Sequence, residues 1–336
     1  MSVAHKALSD IVSNKASALA VQTFNKAILN PEQAGRFIRV ATRDQAILSE
    51  ASVMTMKSHT KNLDRVTLDG RVLHSGYDAE GFTRELDADE KVKWRTWQNR
   101  LVATKLKAQA EIEDDELEDN IEGKAFVNTL LDLIAEGISD DLEVWGIGAN
   151  SDEIERDDDD LLATTTGWLH RSAYKIYDME IEDGDDVKAL FKAMVDAIPK
   201  HFIKNRTKFR LGVPFEYEDL YRDLFAGKPT GLGDEIEEGY RPLRYRGIPV
   251  VHVPTMDDTT LQELTGSPGA MLYTPSNLAM GILREMNLEP DRHAAKEMTE
   301  WVYTTRGDVN LINEYMNVSA FPELEEPEGS PGSPGS

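Results

Sequence analysis

The chain has 336 residues, of which 40% are hydrophobic, so it is long enough to bury a sizeable core in one large domain or a few smaller ones. It contains no cysteine, which excludes disulfide bonds, thiolate metal sites and a cysteine nucleophile. A formal net charge of −24 disfavours sequence-specific binding to duplex DNA, because phosphate neutralisation needs clustered Lys and Arg, but it leaves open the enclosure of DNA without tight binding.

The first residues, MSVAHKALSDIVSNK, lack the continuous apolar core of a signal peptide, and no run of about 18 apolar residues occurs in the chain. We therefore expect a folded, soluble protein that is made inside the cell and has no membrane partner. Charge is unevenly distributed, with about +3 over residues 1–60 and about −18 over residues 111–160. The two regions are expected to face different environments.

Residues 1–65 are predicted to form an N-terminal arm. They carry mixed apolar spacing and a predicted helix after Pro31, with a loose apolar stripe that includes Ile47 and Leu48. The sequence VTLDGRVLHSG follows, and its Asp69-Gly70 dipeptide is typical of a two-residue hairpin turn.

The segment WQNRLVATKLKAQAEI alternates between apolar and polar residues, which predicts a long half-buried strand. One predicted face carries Val102, Thr104, Leu106, Ala108, Ala110 and Ile112, and the other carries Lys105, Lys107, Gln109 and Glu111. Residues 66–112 as a whole are interpreted as an extended two-stranded loop, which is too thin to have its own core. Such a loop needs a neighbouring surface to lie on.

The stretch AEIEDDELEDN, residues 110–120, contains seven carboxylic acids among eleven residues. Asp119 or Asn120 is a suitable N-cap for a helix beginning near Ile121. From Lys124 to about Gly146, apolar residues recur at spacings of three and four, which predicts one long helix. These residues are Val127, Leu130, Leu131, Ile134, Ile138, Leu142 and Trp145.

The rest of the chain predicts a compact α+β region followed by strands. A helix is expected around Val187–Ile198, a strand in TKFRLGV, a short helix in EYEDLYRDLF and a buried strand in YRGIPVVHVP. From Ala270 onward the chain is mainly strand-like. Residues 323–336 form a Pro/Gly/Ser tail that is predicted to be disordered.

In this order of elements the chain resembles the major capsid proteins of tailed bacteriophages, the HK97-like fold family. The resemblance is carried by KLKAQAEIEDDELEDN leading into FVNTLLDLIAEGISDDLEVWGIGAN, which is similar to the E-loop strand, acidic turn and spine helix of that family, and it is supported by YRGIPVVHVP. It covers roughly residues 35–320 by order of elements, and its motifs are degenerate.

The resemblance implies an α+β capsid fold with an N-arm (1–65), an E-loop (66–112), a peripheral domain with the spine helix (113–180), an axial domain (181–297) and closing peripheral strands (298–322). It implies a non-enzymatic virion protein that self-assembles into hexamers and pentamers of an icosahedral shell around double-stranded DNA, in the host cytoplasm. Portal and decoration proteins are implied partners.

Two departures from the family prototype affect these expectations. The predicted arm and E-loop account for the residues before the predicted spine helix, which leaves none for a scaffolding segment like that of the prototype. Scaffolding is therefore expected from a separate protein. The predicted E-loop tip, residues 75–90, contains no lysine, and the sequence therefore gives no support to a lysine cross-link there.

No residue pattern predicts a catalytic, cofactor or metal site. The acidic runs at 110–120 and 155–160 lack the spacing of a calcium loop and are interpreted as solvated structure. GKPTG at 227–231 lacks the full phosphate-loop pattern, and GxSxG is absent. The scattered histidines, His170, His201, His252 and His293, are interpreted as structural. An encapsulin-like compartment shell and an acidic enzyme or binding protein with an unrecognised site remain the alternatives.

Overall fold

A computed structural model describes residues 46–77, 79–113, 124–226, 242–265, 269–293, 296–322 and 324. Its helices are α1 (Lys124–Gly148), α2 (Gly184–Ala197), α3 (Phe215–Ala226) and α4 (Thr259–Thr265). Its strands are β1 (Ser52–Thr55), β2 (Thr60–Asp69), β3 (Lys93–Val102), β4 (Thr104–Glu113), β5 (Tyr174–Ile176), β6 (Arg210–Val213), β7 (Arg244–Tyr245), β8 (Ile248–His252), β9 (Ala270–Tyr273), β10 (Leu278–His293), β11 (Met298–Leu311) and β12 (Val318–Ala320). Among the helices it describes, none has the length and apolar character needed to cross a lipid bilayer.

A six-stranded mixed sheet has the order β5-β12-β9-β6-β8-β7 and forms the main hydrophobic core together with α2 and α3. On α2, apolar residues spaced three and four apart lie on one helical face and are fully buried. They are Val187, Leu190, Phe191 and Met194. They pack with buried strand residues such as Leu211 and Leu272. The predicted helix at 187–198 is confirmed, one turn longer at its start.

The start of α2 is fixed by a reciprocal capping box. The Asp183 carboxylate accepts hydrogen bonds from the backbone N–H groups of Asp185 (2.8 Å) and Asp186 (3.1 Å), and the Asp186 carboxylate accepts one from the Asp183 N–H (3.3 Å). These bonds satisfy N–H groups that have no partner inside the helix.

A second sheet has the order β1-β10-β11-β4, with β1 parallel to β10. The predicted alternation is confirmed in β4, where Leu106 and Ala108 are half-buried while Lys105 and Lys107 are exposed. The prediction was wrong for Val102, whose side chain is 41% exposed. The chain leaves extended pairing at Ala103, so Val102 and β4 do not share one continuous alternation.

The third sheet is a two-stranded ribbon in which β2 and β3 pair antiparallel over ten residues, from Thr60 opposite Val102 to Asp69 opposite Lys93. The two-stranded loop predicted over 66–112 therefore lies earlier in the chain. The ribbon pairs β2 with β3, and β4 belongs to the second sheet. Gly70 has the positive φ expected of it (77°), but no two-residue turn forms there. The chain instead continues through a long tip to Lys93.

The described chain divides into two compact units. The described residues of one lie within 105–140 and 284–306, and those of the other lie within 45–104, 141–283 and 307–336. Sheet membership also crosses the boundaries expected from the sequence. β10 falls in the range expected for the axial domain yet pairs in the four-stranded sheet, and β12 falls among the expected closing strands yet pairs in the six-stranded sheet.

The long helix predicted from Lys124 is confirmed as α1. Near its end Ile138, Leu142 and Trp145 are buried, as the apolar stripe predicted, whereas the side chains of the stripe before residue 133 and the proposed cap at 119–120 lie outside the described residues. Trp145 is fully buried, and its indole Nε1–H donates to Thr164 Oγ1 at 2.7 Å. The indole therefore ties the helix end to the loop that follows it.

Replacing Trp145 with alanine should destabilise the isolated chain by ~3–5 kcal/mol, because removing a large buried side chain leaves a cavity and the Thr164 hydroxyl loses the indole donor. Thermal or urea unfolding of the purified subunit measures this. Leu133→Ala is the matched control, since Leu133 lies on the same helix but is 58% exposed. Its effect should stay within about 0.5 kcal/mol. Equal effects of the two substitutions would contradict the packing described.

Candidate assembly interface

One face of the β2–β3 ribbon carries large apolar side chains in contact with solvent. Leu68 stands opposite Trp94, and Val66 stands opposite Thr96, so the register places all four on the same face. The exposed fractions are 63% for Val66, 58% for Leu68 and 67% for Trp94. Contiguous apolar groups of this kind on a surface mark interaction sites.

The opposite face of the ribbon packs on its own subunit. At the base, Leu63 and Leu101 are buried in a small core with Met56 and Ala279. The Asn99 side chain donates to the Leu311 carbonyl at 2.6 Å, on the strand β11. One face thus packs within the chain at the base of the ribbon, and the other is exposed.

The base of the ribbon is anchored by the buried carboxylate of Asp308. Its Oδ2 accepts the backbone N–H of Val102 at 2.7 Å. Its Oδ1 accepts the Thr165 hydroxyl at 2.6 Å and the Val309 N–H at 2.8 Å. The Ala103 N–H donates to the His59 carbonyl at 2.9 Å and closes the ribbon. These bonds fix the base of the ribbon to β11 and to the loop after α1.

A second buried carboxylate, that of Glu143, holds residues 47 and 48 against α1. Glu143 of α1 is 1% exposed. Its Oε1 accepts the N–H groups of Ile47 (2.6 Å) and Leu48 (3.2 Å), and its Oε2 accepts the Thr255 hydroxyl (3.2 Å). Ile47 and Leu48 are themselves fully buried, so this part of the predicted arm is held against the helix.

The ribbon tip, residues 70–92, is a defined loop. Arg84 makes a two-bond ion pair with Glu90 (2.8 and 2.7 Å), and this hydrogen bonding lowers the pKa of the Glu90 carboxyl, with help from the Asp87 N–H. Tyr77 and Thr83 form a backbone bridge, and the Arg84 N–H donates to the Gly76 carbonyl. Leu73, Tyr77 and Phe82 are exposed on this tip.

The four histidines do not come together in one place. His170 is largely buried and stacks on Phe321, and burial lowers its pKa to about 4, so it is neutral at pH 7. His252 pairs with Asp257 (2.5 Å), and His293 pairs with Glu300 (3.2 Å). His201 lies against Phe202, with ring centroids 4.1 Å apart and the ring planes tilted by 43°. Each of them is a local contact rather than part of a shared site.

The acidic run at 155–160 makes local backbone contacts. Asp159, in the run at 155–160, accepts the N–H groups of Leu161 and Leu162 at 2.8 Å each and so begins a short helical turn. In the described parts of the chain, no three His, Asp or Glu side chains are grouped as metal ligands would be. Residues 114–120 and GKPTG at 227–231 lie outside the described residues.

Comparison with known proteins gives three relevant results. No protein-family model matches the chain. A Bacillus subtilis (strain 168) protein, YqbE, named as a prophage capsid protein, is 26% identical over 302 residues, which cover 88% of this chain and 93% of YqbE. The chain also matches solved capsid structures along most of its length.

Among those structures is the satellite phage P4 procapsid, with a TM-score of 0.61, 11% identity, and coverage of 94% of this chain and 98% of that one. The cyanophage P-SCSP1u capsid has a TM-score of 0.53 at 12% identity, covering 82% and 87% of the two chains. The empty GTA particle capsid has a TM-score of 0.52 at 12% identity, covering 85% and 90%.

These relatives are capsid proteins, and the comparisons give no support to the compartment-shell and enzyme alternatives. The TM-score of 0.61 over 94% of the chain shows that its α+β fold is that of the P4 procapsid chain. The resemblance predicted from the sequence is confirmed: the chain has the HK97-like α+β fold of the tailed-bacteriophage major capsid proteins.

Proposed function

We propose that the chain is a major capsid protein that self-assembles into hexamers and pentamers and forms the icosahedral head around viral double-stranded DNA. The observation that carries this proposal is the exposed apolar face of the ribbon, at Val66, Leu68 and Trp94, in a chain with a phage capsid fold. A ribbon of two strands is marginal in water, so its free face gains most from burial against a second copy.

The capsid subdivision can be assigned to the sheets. We assign the peripheral domain to α1 and the four-stranded sheet, and the axial domain to the six-stranded sheet with α2 and α3. The E-loop is then the β2–β3 ribbon with its tip. Residues 1–45, outside the described part of the chain, are proposed to complete the N-arm, which the Glu143 contacts anchor at Ile47 and Leu48.

The proposed role is structural rather than catalytic. The protein would act in the virion after assembly in the host cytoplasm, with itself as the main partner. A separate scaffolding protein, a portal and decoration proteins are proposed as further partners. DNA is enclosed rather than recognised, which agrees with the net charge of −24.

Replacing Val66, Leu68 and Trp94 together with serine should leave the subunit folded but prevent shell formation, since these side chains are exposed in the single chain. The unfolding free energy of the subunit should change little, while electron microscopy and size-exclusion chromatography should show loss of particles. Leu133→Ser is the control, because it removes an exposed apolar side chain outside the ribbon. Normal particles from the triple variant would exclude this face as an interface.

Shortening the tip between Gly76 and Asp89 should have a related effect. The deleted residues contribute little to the core of their own subunit, so folding should persist while stable shells fail to form. Circular dichroism of the subunit and negative-stain microscopy test the two parts of this expectation. Wild-type particle yield after the deletion would show that the tip is not needed between subunits.

The acidic segment at 110–120 is proposed to line the inside of the shell, where carboxylates repel packaged DNA. Helix-dipole stabilisation contributes only ~0.3–1 kcal/mol per charge near the first turn, too little to require seven acids. Changing Glu113, Asp114, Glu116 and Glu118 to amides should keep assembly intact and insensitive to EDTA, while particles retain more nonspecific nucleic acid.

The control removes four exposed charges elsewhere by changing Glu155, Asp157, Asp158 and Asp160 to amides. The ratio of absorbance at 260 and 280 nm of nuclease-treated particles measures retention. Equal retention in both variants would assign the effect to net charge instead of the lining. Unfolding of the wild-type chain by EDTA would show a metal site.

A further inference from the structure

Two segments of the chain contain basic residues and no acidic ones. Residues 199–210 contain five Lys or Arg, residues 242–256 contain two, and neither segment contains Asp or Glu. At the average acidic content of the chain, 61 of 336 residues, a stretch of 27 residues contains about five acids. The charge of these two segments is therefore opposite to that of the whole protein.

The six-stranded sheet brings the two segments together. β6 and β8 run parallel, with Leu211 paired to Val250, so the residues that precede the two strands lie at the same end of the sheet. At that end the Arg206 side chain donates from Nη1 to the Arg246 carbonyl at 3.3 Å. The two basic segments therefore form one surface.

This surface, called the basic edge below, consists of five exposed cationic side chains. They are Lys204, Arg206, Lys208, Arg244 and Arg246. None of the five forms an ion pair with another residue that the structure describes. Arg210, by contrast, pairs with Glu50 at 3.4 Å and is not counted with them. The basic edge thus presents its charges to solvent.

The backbone of β7 and its turn directs two of the arginines outward. Leu243 and Tyr245 are buried, and Arg244 and Arg246 alternate with them and are exposed. Arg246 has φ 49° and Gly247 has φ 91°, in a turn that favours asparagine, aspartate or glycine at both positions. An arginine in the left-handed region is uncommon, and its presence points to a role for the cationic side chain.

The chemistry of the basic edge fits a phosphate backbone. Guanidinium groups bind phosphate through two parallel hydrogen bonds. The aromatic rings within the two segments nearest these cations, Phe209 and Tyr245, are buried, so they are not available to stack on unpaired bases. Duplex DNA, which presents phosphates on its outside and keeps its bases stacked, matches such a surface.

The net charge of −24 does not prevent a local contact of this kind. At physiological ionic strength the field of an exposed charge is screened over about 8 Å. A phosphate at the basic edge is therefore attracted mainly by the nearby cations and is little affected by carboxylates elsewhere on the chain.

Resting on the proposed function, in which duplex DNA fills the shell, we propose that the basic edge is a sequence-independent binding site for the phosphate backbone of duplex DNA. Phosphates pair with the three arginines and two lysines and release counterions as they do so. The site holds a DNA segment at one end of the six-stranded sheet, and the acidic surfaces of the chain repel the rest.

An acidic surface of a second copy is the other polyanion that could cover the basic edge. Duplex DNA is favoured because the two segments expose no large hydrophobic side chain. Interfaces between protein chains have an apolar core, whereas interfaces with DNA are more polar and more positively charged. A contact between copies is one outcome of the experiment below.

The salt dependence of DNA binding tests the site. Fluorescence anisotropy of a labelled duplex of about 30 base pairs and random sequence measures association with the unassembled full chain from about 50 to about 200 mM NaCl. Each phosphate contact contributes about −0.9 to the slope of log K against log salt, so five contacts predict a slope of about −4 to −5. Undetectable or salt-independent association overturns the site.

Removing the arginines should remove their share of this slope. Arg206→Gln, Arg244→Gln and Arg246→Gln together should make the slope less steep by roughly 2 to 3 and weaken binding at about 50 mM NaCl by roughly tenfold or more. Changing the same three residues to lysine should keep the slope, because the charges remain.

The matched control is Lys57→Gln, Lys192→Gln and Lys296→Gln, which removes the same net charge at exposed positions outside the basic edge. Its slope should equal that of the wild type. Lys204→Gln with Lys208→Gln is a second test that leaves the Arg206–Arg246 bond in place, and it should reduce the slope by roughly 2. This pair decides the question if the triple arginine variant melts below the wild type.

The results separate this site from the function on which it rests. If the wild-type chain forms no shells but binds the duplex with the expected slope, the proposed function fails and the site stands. If shells form while the arginine and lysine variants bind DNA as the control does, the site is overturned and the shell function stands. If the arginine variant stays folded and loses particles without any change in DNA binding, the basic edge contacts another copy, and the DNA site is likewise overturned.

Discussion

The rest of the subunit depends on the buried carboxylate of Asp308. A desolvated carboxylate is tolerated only when its oxygens are hydrogen-bonded, and here backbone and hydroxyl donors from three separate segments meet on it. The nearby Arg171 adds a favourable charge, although burial lowers the pKa of its guanidinium. Because Val102 and Thr165 share this one acceptor group, the ribbon base and the loop after α1 are held in a single arrangement.

A fixed base lets the ribbon carry an apolar face that its own subunit does not cover. Leu63 and Leu101 bury the inner face at the base, and the outward face with Leu68 and Trp94 stays exposed. Burial of these apolar side chains against another chain lowers the free energy, and the isolated chain does not make this gain. The subunit can thus be stable alone and still favour assembly.

Local periodicity made α1 and the alternation of β4 predictable, because both patterns need only neighbours within one element. The pairing of the ribbon was not predictable in the same way. The base of the ribbon is fixed by the bond from the Val102 N–H to Asp308, 206 residues later in the sequence, and no local pattern contains that contact. Which face of the ribbon is exposed was not predictable for the same reason. The alternation of residues shows which side chains share a face, but not which face the rest of the chain covers.

The ribbon carries basic residues on β3 and acidic residues at its tip. Subunits of the same strong negative charge repel one another at most orientations, and only contacts that join a basic surface to an acidic one escape this cost. The basic strand and the acidic tip lie at different positions on one ribbon, so two copies cannot satisfy both by a symmetric two-fold contact through the tips alone. A basic surface on one copy that meets an acidic surface on another offsets part of this repulsion, and either a ring or a reciprocal two-fold pair can supply such a contact.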